Sequence, residues 1–103
     1  MMIDLKAKTK YIVKYTNDFK KDIKRIKKQG KDLEKIKNVI NKLANGEELE
    51  EKYKNHMLTN SKRYKNCGEC HITPDWLLVY KINNNELILL LFATGSHSEL
   101  FDK

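Results

Sequence analysis

Proline, glycine and cysteine are scarce in this chain of 103 residues, which has one proline, four glycines and two cysteines. So little proline and glycine argues against a low-complexity chain, and two cysteines are too few for a disulfide scaffold. No apolar run approaches the roughly 18 residues that a membrane span needs, and residues 1–6 lack the apolar run of a secretory signal. We therefore expect one globular domain, residues 1–103, in the cytoplasm.

Acidic residues are also scarce in the first two thirds of the chain. Residues 1–66 hold 19 Lys or Arg and 9 Asp or Glu, a net charge of +10, whereas residues 67–103 hold 2 and 5, a net charge of −3. A basic surface attracts polyanions without regard to sequence, so the charge is compatible with nucleic acid, an anionic membrane or an acidic protein. A lysine-rich surface that contacts only water would explain this positive charge equally well.

Hydrophobic periodicity predicts two helices after a first strand at residues 9–15. The first helix is capped by Thr16 or Asn17 and ends at Gly30, and the second is capped by Asp32 and ends at residues 45–46. Both have apolar residues at helical spacing, so they predict a hairpin with one apolar face to bury. A sheet is the natural cover for that face.

The second half of the chain predicts three strands, the first of which is the extended segment that starts at Arg63. Residues 47–62 show no clear period and are predicted as a loop, whereas residues 76–82 form a nearly continuous apolar run, typical of a central strand. Asparagines at 83–85 predict a hairpin turn, after which residues 87–94 return antiparallel. Together these elements predict an α+β fold, in which a two-helix hairpin packs on a small, mainly antiparallel four-stranded sheet.

Residues 67–71 spell Cys-Gly-Glu-Cys-His, the attachment pattern of a c-type haem. Haem attachment in bacteria requires export, and this motif falls in a predicted strand, so we disfavour it. A zinc site formed with His56 and His71 is also weakly supported, because a second C-x-x-C pair is absent from the sequence. A disulfide or redox role is unexpected in a reducing compartment. We predict no metal or cofactor, with Cys70 packed as a small apolar side chain.

Three histidines come from separate parts of the chain: His56 from a loop, His71 from a strand end and His97 from a strand-to-helix turn. Imidazole, with an ordinary pKa of about 6.5, suits proton transfer at neutral pH. RNA is cleaved when a base deprotonates a 2′-hydroxyl, a cation stabilises the phosphorane and an acid protonates the leaving 5′-oxygen. Histidines, lysines and a stacking aromatic residue suffice for this, so the residues suggest a metal-free ribonuclease as a hypothesis.

Three motifs, at residues 53–56 (YKNH), 69–80 (ECHITPDWLLVY) and 94–101 (TGSHSELF), resemble the YafQ branch of the RelE/ParE toxin superfamily. The resemblance spans residues 11–101 and implies a RelE-like fold. It also implies a type II toxin that cleaves mRNA on the translating ribosome and is neutralised by a DinJ/RelB-like antitoxin with an acidic tail. Operator DNA would be contacted only through the antitoxin complex, and no membrane would be involved.

The resemblance further implies roles for individual residues. The positions matching His56, His71, Asp75 and His97 form the catalytic set of the family, and the aromatic residue matching Phe101 holds a base. By analogy, His97 is expected to transfer a proton at the scissile phosphate with His71 as its partner. Asp75 would orient or charge a neighbouring imidazole, while His56 would contact phosphate or share the acid–base work. Which histidine is the acid and which the base stays open.

One position departs from the family pattern in a way that affects the chemistry. Family members usually carry an arginine just before the Thr-Gly-Thr/Ser-His motif, where this chain has Ala93. The cation that binds phosphate must then come from elsewhere, and Arg63, Lys62 and Lys65 are the candidates. Trp76 is predicted as a further substrate contact.

Two alternatives to the nuclease remain at this stage. The superfamily scaffold also carries ParE-like gyrase poisons, which do not cut RNA, and a noncatalytic basic module could act through a protein partner. The segment at residues 59–63 is longer and contains less glycine than the corresponding family segment, which follows the position of His56. We therefore expect this loop to differ in shape from that of the family. The retained histidine and aspartate set favours the nuclease branch.

Overall fold

The structure is a computed structural model that describes residues 9–102. It consists of three α-helices, one short 3-10 helix and five strands within this range. In chain order, these elements are β1 (Ile12–Tyr15), α1 (Asn17–Lys28), α2 (Leu33–Ala44), the 3-10 helix (Glu51–Tyr53), β2 (His56–Met57), β3 (Gly68–Thr73), β4 (Trp76–Asn83), β5 (Ile88–Gly95) and α3 (His97–Phe101).

The strands form one sheet in the order β1-β5-β4-β3-β2, in which β1 runs parallel to β5 and the other pairs are antiparallel. The predicted α+β class, with a helical hairpin on a mainly antiparallel sheet, is confirmed. The sheet has five strands rather than four, because His56 and Met57 pair with Glu69 and Gly68. A strand of two residues is too short to produce a periodic pattern, so the sequence predicted a loop there.

The two long helices begin at the predicted caps. Thr16 Oγ1 accepts a hydrogen bond from Phe19 N–H at 3.0 Å, and Asp32 Oδ1 accepts one from Glu34 N–H at 3.0 Å. Gly30 has a φ of +79°, a left-handed conformation that glycine adopts without strain, and it turns the chain between the helices. The helices bury their apolar faces against one side of the sheet, through Phe19, Ile23, Ile26, Ile36, Val39, Ile40 and Leu43.

Alternation along β4 divides the core between the two faces of the sheet. Trp76 and Leu78 belong to the larger cluster under the helices, whereas Leu77 and Val79 belong to a smaller cluster on the opposite face. The smaller cluster is completed by side chains from residues 64–67, β5 and α3: Tyr64, Cys67, Ala93 and Leu100. We call the side that carries this cluster the second face.

A β-bulge in β5 changes which side chains point to the second face. Tyr80 pairs with Leu91 and Val79 pairs with Ala93, so Phe92 is an extra residue in β5. Leu91 therefore packs under the helices while Ala93, two residues later, packs on the second face.

Among residues 9–102, no helix has the length and apolar character needed to cross a membrane.

Candidate active site

Glu69 lies at the centre of a histidine cluster. Its side chain is 8% exposed, and Oε1 lies 3.3 Å from His56 Nε2 and 3.9 Å from His71 Nε2. The sheet register explains the cluster, since His56 on β2 is paired with Glu69 on β3, and His71 lies two residues further along β3, on the same face. The fold thus brings two of the three histidines to one buried carboxylate.

Backbone carbonyls orient the two imidazoles. His56 Nδ1 lies 2.8 Å from Lys54 O and His71 Nδ1 lies 3.3 Å from Pro74 O. Each carbonyl oxygen can accept a hydrogen bond from Nδ1, and Nε2 is the nitrogen that faces Glu69 in both rings. Lys54 ends the 3-10 helix with a φ of +47°, and this turn leads the chain into β2.

Tyr80 holds the segment before His56 in place. Its hydroxyl donates a hydrogen bond of 2.5 Å to Asn55 Oδ1, and burial raises the pKa of Tyr80 to about 12. The ring passes over Gly68, where an added Cβ would lie 2.6 Å from Tyr80 Cζ. A side chain at position 68 would therefore displace the ring that anchors β2.

His97 and Glu69 line one cavity of about 470 Å³ on the second face. We call it the His97 cavity. Residues 58–63 form one wall and α3 forms the other, so Phe101, Lys62 and Arg63 also line it. One carboxylate, one imidazole, two cationic side chains and an aromatic ring therefore surround a space large enough for part of a nucleotide.

Phe101 is held between His97 and a buried tyrosine. The ring centroids of His97 and Phe101 are 5.0 Å apart, as expected for residues four apart on a helix, and Tyr64 meets Phe101 edge to face at 5.5 Å. The Tyr64 hydroxyl donates to Leu100 O at 3.3 Å, and burial raises the pKa of this tyrosine. These contacts fix a partly exposed ring that can stack on a base.

Arg25 on α1 holds the turn that presents His97. Its guanidinium lies 2.7 Å from Asp22 Oδ1 and 3.0 Å from Glu99 Oε2, and it donates a hydrogen bond of 2.8 Å to Thr94 O. An added Cβ at Gly95 would lie 2.6 Å from Arg25 Nη2, so a side chain at this position would displace the guanidinium from its contacts. Sequence reasoning missed Arg25, because nothing in the sequence distinguishes this arginine from the neighbouring lysines of a strongly basic helix.

Glu99 completes this arrangement through a capping box with Ser96 at the start of α3. The Ser96 backbone N–H donates to Glu99 Oε1 at 2.8 Å, and Gln29 Nε2 donates to Oε2 at 3.2 Å. The hydrogen bond from Ser96 is the largest influence that lowers the pKa of Glu99, and the Gln29 amide and the Arg25 charge lower it further. The spacing of Ser96 and Glu99 was the one signal in the sequence for this contact.

His71 and His97 do not line the same cavity. His71 lines a second cavity of about 520 Å³ beyond the end of β3. In the sheet, His71 and Gly95 both pair with Leu77, which places them on either side of β4, about 10 Å apart. The structure therefore brings Glu69, rather than His71, into the cavity of His97, and the two histidines that were predicted as partners line different cavities.

Three other predicted residues lie away from the His97 cavity. Asp75 is exposed in the turn between β3 and β4, and Lys65 is exposed in the turn before β3; neither lines this cavity or the one beside His71. Trp76 is 2% exposed, and its indole Nε1 donates to Thr94 Oγ1 at 2.9 Å inside the core. The predicted substrate contact of Trp76 is wrong, because alternation along β4 points this ring toward the helices.

The two cysteines lie on opposite sides of the sheet. Cys67 packs in the smaller cluster and Cys70 in the larger one, and both thiols are free. Burial raises the pKa of Cys70 to about 12, so it stays protonated at neutral pH, and the prediction that it packs as an apolar side chain is confirmed. Across residues 9–102, no group of three or more His, Cys, Asp or Glu is arranged to hold a metal ion.

Arg63 lines both the His97 cavity and the cavity beside Ala93, the position where the family pattern has an arginine. Ala93 is 3% exposed and lines a cavity of about 380 Å³ together with Arg25, Arg63 and Tyr64. Arg63 also lines the His97 cavity, and its guanidinium carbon lies 5.3 Å from the centroid of the Tyr64 ring. Arg63 therefore belongs to the walls of two cavities, the one beside Ala93 and the His97 cavity.

A helical hairpin on one face of a mostly antiparallel sheet, with imidazoles, a carboxylate and cations on the other, defines the class of RelE-like toxin domains. A family model described as the bacterial toxin of type II toxin-antitoxin systems, YafQ, matches residues 11–102. The chain belongs to the YafQ family of type II toxins.

Named relatives agree with this assignment. The mRNA interferase toxin YafQ of Escherichia coli (strain B / BL21-DE3) is 36% identical over 90 residues, which are 86% of this chain and 94% of the relative. A metal-bound toxin from Helicobacter pylori has a crystal structure with a TM-score of 0.82 and 42% identity, covering 88% of this chain and 99% of that one. The E. coli DinJ–YafQ complex gives a TM-score of 0.79 and 35% identity, covering 88% and 98%.

Proposed function

We propose that this chain, an mRNA interferase toxin of the YafQ family, cleaves mRNA on the translating ribosome at a phosphate held in the His97 cavity. The observation that carries the proposal is the meeting of His97, Glu69 and Arg63 around one cavity. The ParE-like and noncatalytic alternatives give no reason for a buried carboxylate flanked by two imidazoles.

The reaction needs two proton transfers at one phosphorus. A base removes the 2′-hydroxyl proton, the 2′-oxygen attacks phosphorus, and the bond to the 5′-oxygen breaks as an acid protonates that oxygen, leaving a 2′,3′-cyclic phosphate. We assign one transfer to His97 and the other to Glu69, whose carboxylate lies 3.3 Å from His56 Nε2. His56 and His71 then exchange protons with the Glu69 carboxylate. This role explains why both rings face the same oxygen, Oε1.

Charge on the phosphorane is stabilised by side chains of residues 58–63. Arg63 and Lys62 both line the His97 cavity. Arg63, which also lines the cavity beside Ala93, replaces the arginine that the family pattern has at position 93. A guanidinium presents two parallel N–H groups to phosphate oxygens, so Arg63 suits this position better than a lysine does. Phe101 stacks on a neighbouring base. The mechanism uses these groups and no metal.

The basic surface has two partners in this proposal. A net charge of +10 over residues 1–66 supports contact with ribosomal RNA and, in its absence, with the acidic tail of a DinJ-like antitoxin. Operator DNA is then reached only through the antitoxin. Ribosome affinity is expected to fall steeply with added salt, because each neutralised phosphate releases counterions.

Substitution of His97 tests the proposal. His97→Ala is expected to abolish toxicity in cells and lower mRNA cleavage on ribosomes by about 10²-fold or more, because one of the two proton transfers is lost. Ser98→Ala, an exposed neighbour on the same helix, is the matched control and should keep both activities. His97→Ala should still bind the antitoxin in pull-down. A fully toxic His97→Ala toxin would rule out cleavage as the basis of toxicity.

A further inference from the structure

The cavity beside His71 is built from separate elements of the fold and is strongly basic. It lies between α2, the 3-10 helix and the end of β3, and we call it the lysine cavity. Its described lining residues include three lysines and no carboxylate: Lys35, Asn38, Lys52, Tyr53, Lys54, His71, Ile72, Thr73 and Pro74. A space of about 520 Å³ with this charge suits an anionic group attached to a bulkier one.

An aromatic ring lies among the ammonium groups. Lys52 Nζ lies 5.1 Å from the centroid of the Tyr53 ring, and Lys42 Nζ lies 5.8 Å from it. The acidic partner of Lys42 is Glu50, at 3.5 Å. Lysines grouped around one half-buried aromatic ring are the combination that proteins use to bind the backbone and bases of single-stranded nucleic acid.

The lysine cavity and the His97 cavity share a wall. His71 lines the first, and its Nε2 lies 3.9 Å from Oε1 of Glu69, which lines the second. Lys54 also lines the lysine cavity, and its carbonyl oxygen holds His56 against Glu69. A strand of RNA that leaves the His97 cavity over Glu69 and His71 therefore enters the lysine cavity next.

We propose that the lysine cavity binds the phosphate and ribose of an mRNA nucleotide that flanks the scissile one. His71 then forms the boundary between the two nucleotide sites. This inference rests on the proposed function for the location of the scissile phosphate, and adds a second binding site for the same strand. Ribosomal RNA offers the same chemistry, but the wall shared with the His97 cavity favours the strand being cut.

Binding of short RNA to the purified full chain tests the inference. Oligonucleotides with 2′-O-methyl riboses cannot be cut, and they are lengthened by one nucleotide at a time from either end. For the unmodified toxin, the nucleotide that reaches the lysine cavity should raise affinity on the order of tenfold. Lys35→Gln/Lys52→Gln should remove this gain and lower the slope of log affinity against log salt by about 0.7, the value for the one phosphate that these two lysines no longer neutralise.

A matched control removes the same charge elsewhere. Lys24→Gln/Lys28→Gln changes two exposed lysines of α1, and it should keep the gain in affinity with length. Equal losses in the two double variants, or an undiminished gain in Lys35→Gln/Lys52→Gln, would overturn the inference. Affinity for ribosomes without mRNA is measured in parallel, and a loss seen only there would assign the cavity to ribosomal RNA and also overturn it.

Failure of the inference can be told apart from failure of the proposed function. If the unmodified toxin cut no mRNA on ribosomes, the proposed function would be wrong, whatever the binding of modified RNA showed. If it cut mRNA while the lysine cavity variant bound every length of RNA as the unmodified toxin does, only the inference would be wrong. Circular dichroism spectra of both double variants confirm that each is folded before the affinities are compared.

Discussion

Arg25 Nε on α1 lies 3.0 Å from Glu99 Oε2 on α3, and this ion pair joins a strongly basic helix to the short helix that begins with His97. The Arg25 Nε group makes no hydrogen bond, so the contact is an ion pair without hydrogen-bond geometry. Arg25 also donates to Thr94 O, three residues before His97. A side chain far from His97 in sequence therefore determines where its ring lies.

Arg25 is expected to act as a positioning residue. Arg25→Lys keeps the charge but loses the planar guanidinium that contacts Asp22, Thr94 and Glu99 together, so α3 should shift relative to Glu69. We expect kcat for mRNA cleavage to fall about tenfold while KM changes little, since a small displacement of a catalytic group is costly. Lys24→Gln on the exposed side of α1 is the control. A change confined to KM would contradict this role.

Stability at acidic pH should depend on Glu99. The folded state lowers its pKa from 4.5, so Glu99 stabilises the fold above its unfolded-state pKa, and this contribution is lost as pH falls through the lower, folded-state value. Glu99→Gln should therefore lower the free energy of unfolding at pH 7 and make it less dependent on pH below about 5. Urea denaturation at several pH values measures this, with the exposed Glu47→Gln as the control.

Arg63 is expected to supply the charge that the missing family arginine would provide. Arg63→Gln should lower ribosome-dependent cleavage by about 10²-fold, the scale typical of removing one donor to a transition-state oxyanion. Lys65→Gln removes the same charge from a residue outside both cavities, and it should retain activity. Introducing Ala93→Arg into the Arg63→Gln variant should restore part of the rate. Full activity in Arg63→Gln would show that another cation is used.

Both cysteines should be inert in the folded protein. Burial raises the pKa of Cys67, and it raises that of Cys70 to about 12, so neither forms much thiolate near neutral pH. At pH 8, the thiol reagent DTNB should label no cysteine in the native state within minutes and two in guanidinium chloride. Rapid labelling of the native protein would reveal an opening of the core that the packing does not predict.

Local features of the sequence predicted most of the fold. The caps at Thr16 and Asp32, the stop at Gly30 and the apolar spacing between them depend on residues within one or two turns, so they are visible in the chain itself. The strands of the second half were predicted for the same reason, from a continuous apolar run and an asparagine turn. β2 was missed, because two exposed residues, His56 and Met57, pair only when β3 is beside them.

The site was predicted less completely than the fold. His97 and Phe101 lie four residues apart on one helix, so their proximity follows from the sequence once α3 is assigned. Glu69 appeared in the sequence only as part of a longer motif, and its central position depends on the pairing of β2 with β3. Trp76 was predicted to contact the substrate, but its position in β4 points the ring toward the helices, and the face to which a strand residue points changes with a shift of one residue.

The sequence by itself determined the class of fold, the ends of both long helices and the family, since these depend on local periodicity, capping chemistry and three short motifs. Only the tertiary structure decided that Glu69 links His56 to His71, that Arg25 holds the turn before His97, and that His71 faces a cavity of its own. Strand register and the docking of α1 against α3 fix these contacts, and both join residues that lie far apart in the chain.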